Sequence, residues 1–338
     1  MPRPIANPPN PWLSSAVEWL EPQPSRLEVH EDATREILSR NESPDIPFRW
    51  SVNPYRGCGH ACAYCYARPT HEFLGFGAGT DFETRIAVKP RAAELLRAAF
   101  DRPSWKGELV AFSGVTDCYQ PLEAAWRLTR ACLEVCLAYR NPVSIVTKAP
   151  LVERDLDLLA ALAREARASV SISLPFLDEA RARALEPGAA APSRRLRALQ
   201  RLAAAGVPCG VLLAPVIPGL NDEEVPRVLE AAREAGATRA GWLLLKLPGS
   251  SAAVFEERLR AALPERAERV LHRIRETRGG ALDDGRFGAR MRGEGPYAAA
   301  LSALFDAASR RLGLADAHPT AEPATTFRRP PGPQLSLW

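Results

Sequence analysis

Five apolar runs of β type punctuate residues 109–248: LVAFSG (109–114), VSIVTK (143–148), SVSISL (169–174), VPCGVLLAP (207–215) and AGWLLLKLP (240–248). Helical patterns fill the gaps. One opens at Pro121, where proline suits a first helical turn, and continues LEAAWRLTRACLEVCLAY. The others read LVERDLDLLAALAREA, SRRLRALQRLAAAG and EEVPRVLEAAREAGA, the last two ending near Gly206 and Gly236 as helices often do. Strand starts recur every 26 to 38 residues, a spacing that suits repeated βα units and a parallel sheet. With a first strand near FRWSVNPY (48–55) the count is six, too few for a closed eight-fold barrel. A partial, open-sided barrel and a doubly wound sheet are the candidates, and either builds its sites at the C-terminal ends of the strands.

The flanks differ from this core, taken as residues 46–248. Residues 1–45 are Pro-rich and poorly periodic, and read as an extended arm. Residues 249–317 read as a helical extension, with helices near 251–278 and 296–312. The stretch 318–338 is Pro-rich and is expected to be disordered. One uncharged window, LAAAGVPCGVLLAPVIPGLN (202–221), is long enough to cross a bilayer. Its three prolines and three glycines break it into helix end, strand and loop, so it belongs to the core and no membrane partner is expected. The start MPRPIANPPNPW lacks the basic-then-apolar order of a secretory leader. Seven cysteines, an odd and clustered set, then point to a reducing cytoplasm and to metal binding over disulfides. A net charge of +4 is too small to argue for nucleic acid by itself.

The stretch NPYRGCGHACAYCYARP (53–69) places Cys58, Cys62 and Cys65 within eight residues. Three thiolates on one tight loop suit a [4Fe–4S] cluster, in which they reach three irons and leave the fourth open for a substrate or cofactor. Zinc is the alternative. It wants four protein ligands in a structural site or three and a water in a catalytic one, and His60 inside the loop is available.

CGHACAYC resembles the cluster loop of the radical S-adenosylmethionine (radical SAM) superfamily, including the aromatic Tyr64 before the last cysteine. NPYRGC…YCYARP, SGVTDCYQPLE, VTKAPLVERDLDLL and APVIPGLND together resemble the branch related to spore photoproduct lyase, over about residues 45–312. The resemblance implies a partial (β/α)6 TIM-like barrel with a C-terminal helical extension. It implies a [4Fe–4S] cluster held by Cys58, Cys62 and Cys65, with S-adenosylmethionine chelating the open iron through its amino and carboxylate groups. An electron from the cluster then cleaves the sulfonium C–S bond, giving methionine and a 5′-deoxyadenosyl radical that takes hydrogen from substrate. The reducing partner is expected to be a protein such as flavodoxin or ferredoxin. By the same resemblance Tyr64 lies against the adenine, Ser113, Gly114, Thr116 and Asp117 surround the methionine amino group, and Lys148 pairs with the methionine carboxylate. Ser171 and Ser173 share one strand face and are candidates to reach the ribose. Each has a blander reading: loop packing for Tyr64, a surface cation for Lys148, backbone acceptors for the serines.

Cys118 stands where relatives carry proline, and is a candidate hydrogen donor or else a core thiol. Cys132 and Cys136 fall on the apolar face of one helix and read as core, as does Cys209. The loop DDGRFGARMRGEGPYA (283–298) offers Arg286, Arg290 and Arg292 either to phosphates or to Asp283, Asp284 and Glu294. QLSLW (Gln334–Trp338) is similar to the short bacterial motif that docks proteins on the DNA sliding clamp. The leading expectation is a cytoplasmic radical SAM enzyme acting on nucleic acid, in the manner of DNA lesion repair. The alternatives are a radical SAM enzyme for a small metabolite or protein side chain, and a non-catalytic iron–sulfur protein that binds DNA.

Overall fold

The computed structural model describes residues 26–316 and 325–331. Six parallel strands lie side by side in chain order: β1 (Trp50–Val52), β2 (Val110–Phe112), β3 (Val143–Thr147), β4 (Ala168–Ser173), β5 (Cys209–Val216) and β6 (Arg239–Leu244). The order never reverses, so the sheet has no switch point and is wound in one direction, as a barrel is. That decides between the two sheets the sequence allowed. Among the described residues β1 and β6 do not pair. Leu38–Arg40 caps β1 as an antiparallel edge and Ala315–Asp316 runs parallel along β6, leaving the sheet open-sided.

Each strand buries one face under helices. In β4, Ala168, Val170 and Ile172 are buried in the main core, whereas Ser169 and Ser171 are half-buried on the concave side. Register carries this concave face from Val146 to Ser171 to Gly210 across three strands. A valine, a serine and a glycine form this row, all small residues. The convex side is covered by α1 (Ala92–Asp101), α2 (Leu128–Ala138), α3 (Leu156–Glu165), α4 (Pro192–Ala204) and α5 (Val225–Glu234), whose apolar stripes meet the strands. Cys132 and Cys136 on α2 and Cys209 in β5 are buried in that layer, as core residues. Beyond β6 come α6 (Ser251–Ala262), α7 (Pro264–Glu276) and α8 (Gly295–Arg311).

Residues 325–331 depart from the disorder their composition suggests. Phe327 sits 6.0 Å from the Phe100 ring and 6.1 Å from Tyr139. Arg329 donates to the carbonyls of Phe100, Arg102 and Trp105 at 3.1, 2.7 and 3.3 Å. Thr325 donates to the Gly107 carbonyl at 2.6 Å, and a Cβ on Gly107 would stand 2.1 Å from that of Phe327. One aromatic and one fork of donors fix a segment that proline content alone marks as loose. It lies at the N-terminal ends of the strands, opposite the cysteine loop. The QLSLW stretch, Gln334–Trp338, lies outside the described residues.

Candidate cofactor site at the barrel mouth

The cysteine loop leaves the top of β1 through a short strand, Tyr55–Arg56, that pairs with Arg85–Val88. Gly57 then turns with φ +79°, and a Cβ there would meet the Phe82 carbonyl at 2.9 Å, so only glycine serves. The loop has few regular bonds of its own and is held from outside. Cys58 N–H donates to the Phe82 carbonyl at 2.9 Å and Ala63 N–H to the Leu185 carbonyl at 2.8 Å. Gln120 accepts from Gly59 N–H at 3.2 Å and donates to the Gly57 carbonyl at 3.0 Å. Arg68 is wholly buried, donating to the carbonyls of Cys62, Ala78 and Gly79 and to Glu83 at 2.5 Å. Arg258 of α6 donates to the Ala61 carbonyl and pairs with Glu83 at 2.5 Å, while Ser251 donates to the Cys65 carbonyl at 3.1 Å.

Cys58 and Cys62 are buried and Cys65 is partly so. Burial raises all three thiols, that of Cys62 to about 12, and the carboxylates of Asp117 and Glu186 add to this at Cys58 and Cys62 respectively. Lys148 and Arg195 pull Cys62 back down, and Arg68 and Lys148 do the same for Cys65. Three thiols ringed by cations are matched to an anionic centre, whose binding would take their protons. Among the described residues no three His, Cys, Asp or Glu side chains converge as the ligands of a single ion do. His60, the loop's other candidate ligand, has its Nδ1 turned to Asp117.

His60 Nδ1 stands 3.3 Å from Asp117 Oδ2. Asp117 also accepts from the Thr147 hydroxyl at 2.7 Å and the Lys148 N–H at 2.8 Å. Burial alone would raise the Asp117 carboxyl; His60 and these donors outweigh it and hold the carboxyl down at about 2. The rest of SGVTD shapes its own turn. Ser113 adopts φ +72°, uncommon outside glycine, and its hydroxyl accepts from Cys118 N–H at 2.9 Å. Thr116 donates to the Tyr55 carbonyl at 2.8 Å. Gly114 lies so close to Ser51 that a Cβ would come within 3.0 Å of that side chain.

A second group forms beside the loop. Tyr64 donates to Glu186, and Lys148 Nζ lies 5.7 Å from the centre of the Tyr64 ring. Lys148 donates to Ser173 at 2.9 Å and stands 3.9 Å from Glu186. Arg195 pairs with Glu186 and donates to the Ser173 carbonyl at 3.1 Å. Tyr64, Lys148 and Ser173, three residues singled out from sequence, are thus brought together, with Asp117 beside Lys148. Ser171 follows on the same face of β4, one register step further inside. Cys118 is not brought to them: it is wholly buried in the main core, and Thr129 donates to its carbonyl at 2.5 Å. Glu186, Arg195, Arg68 and Arg258 are the residues that sequence reading missed. Arg68 stands inside the quoted YCYARP, but nothing local marks Glu186 or Arg258.

The family model of the Radical SAM superfamily matches residues 52–232. The chain belongs to that superfamily. It is 40% identical to an uncharacterized Mycobacterium tuberculosis protein over 73% of this chain and 74% of that one. It is 28% identical to an uncharacterized Methanocaldococcus jannaschii protein over 59% of this chain and 72% of that one. The fold is similar to that of a spore photoproduct lyase mutant, with TM-score 0.59 and 17% identity over 86% of this chain and 81% of that one. A second spore photoproduct lyase mutant, with dinucleoside spore photoproduct, gives TM-score 0.59 and 16% identity over the same shares. This radical SAM protein is accordingly an enzyme that takes a [4Fe–4S] cluster and S-adenosylmethionine and needs a reductant. Among its described residues no helix is long and apolar enough to cross a membrane.

The arginine loop resolves toward ion pairs. Arg286 pairs with Asp284 at 2.6 Å and Glu294 at 2.9 Å, Arg290 with Asp45 at 2.6 Å, and Arg292 stacks 4.6 Å over Trp242. Arg286 and Arg290 are thereby held by carboxylates, and Arg292 by a ring face.

Proposed function

We propose that this radical SAM enzyme acts on a nucleic acid, with Cys58, Cys62 and Cys65 as the three cluster ligands and Tyr64, Asp117, Lys148, Ser171 and Ser173 around S-adenosylmethionine. The observation that carries the site assignment is the meeting of Lys148, Tyr64 and Ser173 directly beside the buried Cys62. When bound, the reduced cluster supplies one electron that splits S-adenosylmethionine into methionine and a 5′-deoxyadenosyl radical, which takes a hydrogen atom from substrate. This chain's residues bind and orient. Lys148 carries the ammonium that would meet the methionine carboxylate, leaving Ser173 to do so. Tyr64, held by Glu186, offers a fixed ring face to the adenine. Asp117 is an ionised acceptor within the SGVTD turn, which with Ser113, Gly114 and Thr116 would border the methionine amino group. The half-buried concave face excludes bulk water once cofactor and substrate fill it.

The nucleic-acid reading is supported by the fold likeness to spore photoproduct lyase over most of the chain and by the clamp-like Gln334–Trp338. A base would have to leave its stack to reach the mouth. Cys118 enters this reading as a core thiol: Cys118→Ala is expected to leave the product distribution unchanged, and an altered one would return it to the hydrogen-donor role. The test is anaerobic reconstitution, reduction and mass spectrometry with pyrimidine-damaged DNA. 5′-Deoxyadenosine together with a changed oligonucleotide mass is the expected result. 5′-Deoxyadenosine with no change in any nucleic acid offered would move the substrate to a metabolite or protein side chain. A fluorescent peptide of residues 328–338 should bind a purified sliding clamp saturably; a flat titration removes that partner.

A further inference from the structure

Two of the chain's four lysines, Lys148 and Lys246, stand at strand ends of the barrel mouth. Lys148 is engaged by Ser173 and Glu186. Lys246 is engaged by a ring: its ammonium rests 4.2 Å from the centre of Tyr66. Tyr66 directly follows Cys65, and its hydroxyl donates to the Gly114 carbonyl beyond β2 at 2.9 Å. Its side chain therefore reaches from the end of the last barrel strand to the end of the second, across the open side of the sheet. Tyr66 is 40% exposed and the adjoining Val115 is 37% exposed. An exposed aromatic face and an exposed aliphatic side chain thus stand beside a half-buried cation, one residue from the cysteine loop.

The acidic neighbours of Lys246 are already occupied. Asp45 accepts from Arg290 at 2.6 Å and from Gly288 N–H at 2.8 Å. Asp283 accepts from Leu247 N–H at 3.0 Å. Among the described residues no carboxylate pairs with Lys246; Arg290 adds positive charge beside it, and Asp283 and Asp45 oppose this from a distance. A cation held by a ring face gains about 0.5–2 kcal/mol, more as it is desolvated, and a charge-assisted hydrogen bond to an anion is the stronger contact of the two kinds. The pair is arranged to exchange that contact for a ligand's negative group.

We propose that Tyr66 and Lys246 form a substrate subsite for a flat ring joined to a phosphate, the base and backbone of a nucleic-acid strand. The inference rests on the nucleic-acid reading above and deepens it. Lys246 takes a phosphate oxygen and the freed Tyr66 face takes the base, a contact that tolerates any base because each has a π face.

The test uses the anaerobically reconstituted holoenzyme as wild type, Lys246→Met and Lys246→Arg. Binding of a labelled single-stranded oligonucleotide is followed by anisotropy across a salt series. Lys246→Met is expected to weaken binding about 5- to 10-fold and to lower the salt slope by about one, as for any lost phosphate contact. Lys246→Arg is expected to keep both near wild type. The spectral change caused by S-adenosylmethionine, and 5′-deoxyadenosine formation without substrate, should match wild type in both variants. A wild type that binds in a salt-dependent way while Lys246→Met binds equally well, with the same slope, overturns the subsite alone. A wild type that binds no oligonucleotide overturns the nucleic-acid reading, and the subsite with it.

Discussion

Arg258 donates to the backbone carbonyl of Ala61, 197 residues earlier in the chain and directly before Cys62. Its guanidinium also pairs with Glu83 at 2.5 Å, which in turn pairs with the wholly buried Arg68 at 2.5 Å. A helix outside the barrel sheet thereby holds the loop that bears the cysteines. Arg258→Ala should leave the Ala61 carbonyl buried without a donor, costing about 1–3 kcal/mol. Denaturant unfolding of the apoprotein and iron content after reconstitution check this. Unchanged values for both would mean the contact is incidental.

Gly188 tests the loop from the other side. Its N–H donates to the His60 carbonyl at 3.1 Å, and a Cβ there would lie 2.1 Å from the Gly59 carbonyl oxygen. Gly188→Ala has to push backbone against backbone. The expected outcome is lost cluster loading with far-ultraviolet circular dichroism preserved, since the sheet lies elsewhere. Full iron content in this variant would show that the loop yields freely.

Lys148 should matter for S-adenosylmethionine and not for the cluster. Its ammonium donates to Ser173 at 2.9 Å and reaches no cysteine by a hydrogen bond. Lys148→Met is expected to weaken S-adenosylmethionine binding about 10- to 100-fold, the range for a lost hydrogen bond to a charged group. The shift of the reduced cluster's electron paramagnetic resonance signal on titrating the cofactor measures it. Wild-type affinity would remove Lys148 from the site.

Asp117 ties stability to acid. Its carboxyl titrates at about 2 in the fold against an ordinary value of 3.8. The lowered value means its stabilisation is complete above the ordinary value and is lost as pH falls through about 2. In the apoprotein, Asp117→Asn should cost about 2 kcal/mol at pH 7. The gap to wild type should narrow below pH 4 and close near pH 2. A gap that stays constant across that range would show that Asp117 acts by shape and not by charge.

The path from sequence to site was legible in parts. The period of the βα units announced six parallel strands, and their sequential order followed only once pairing was seen. The stretches CYQPLE and PLVERD were both visible, yet what joins them was not. Arg154 pairs with Glu123 at 2.6 Å, Tyr119 donates to Asp155 at 3.1 Å, and Tyr55 donates to Glu123. These polar residues brace the base of the cysteine loop and do not line the mouth. Cys118 illustrates the limit in the other direction. It lies next to Asp117 in sequence, but its side chain turns into the core, because the tight turn begun by Ser113 sends neighbouring side chains to opposite sides.

Three cysteines at fixed spacing on one loop determined by themselves that a cluster could be held, because ligands so near in sequence need little help to meet. The alternation of apolar runs likewise determined a parallel α/β sheet, since burial on one side of every strand is a local pattern. Only the tertiary structure decided that Glu186 restrains Tyr64, that Arg258 and Arg68 share Glu83 under the loop, and that Lys246 faces Tyr66 across the open seam. Those contacts join residues from tens to nearly two hundred positions apart. Their partners are chosen by how the strands and helices close around the mouth, and no short stretch of chain records that.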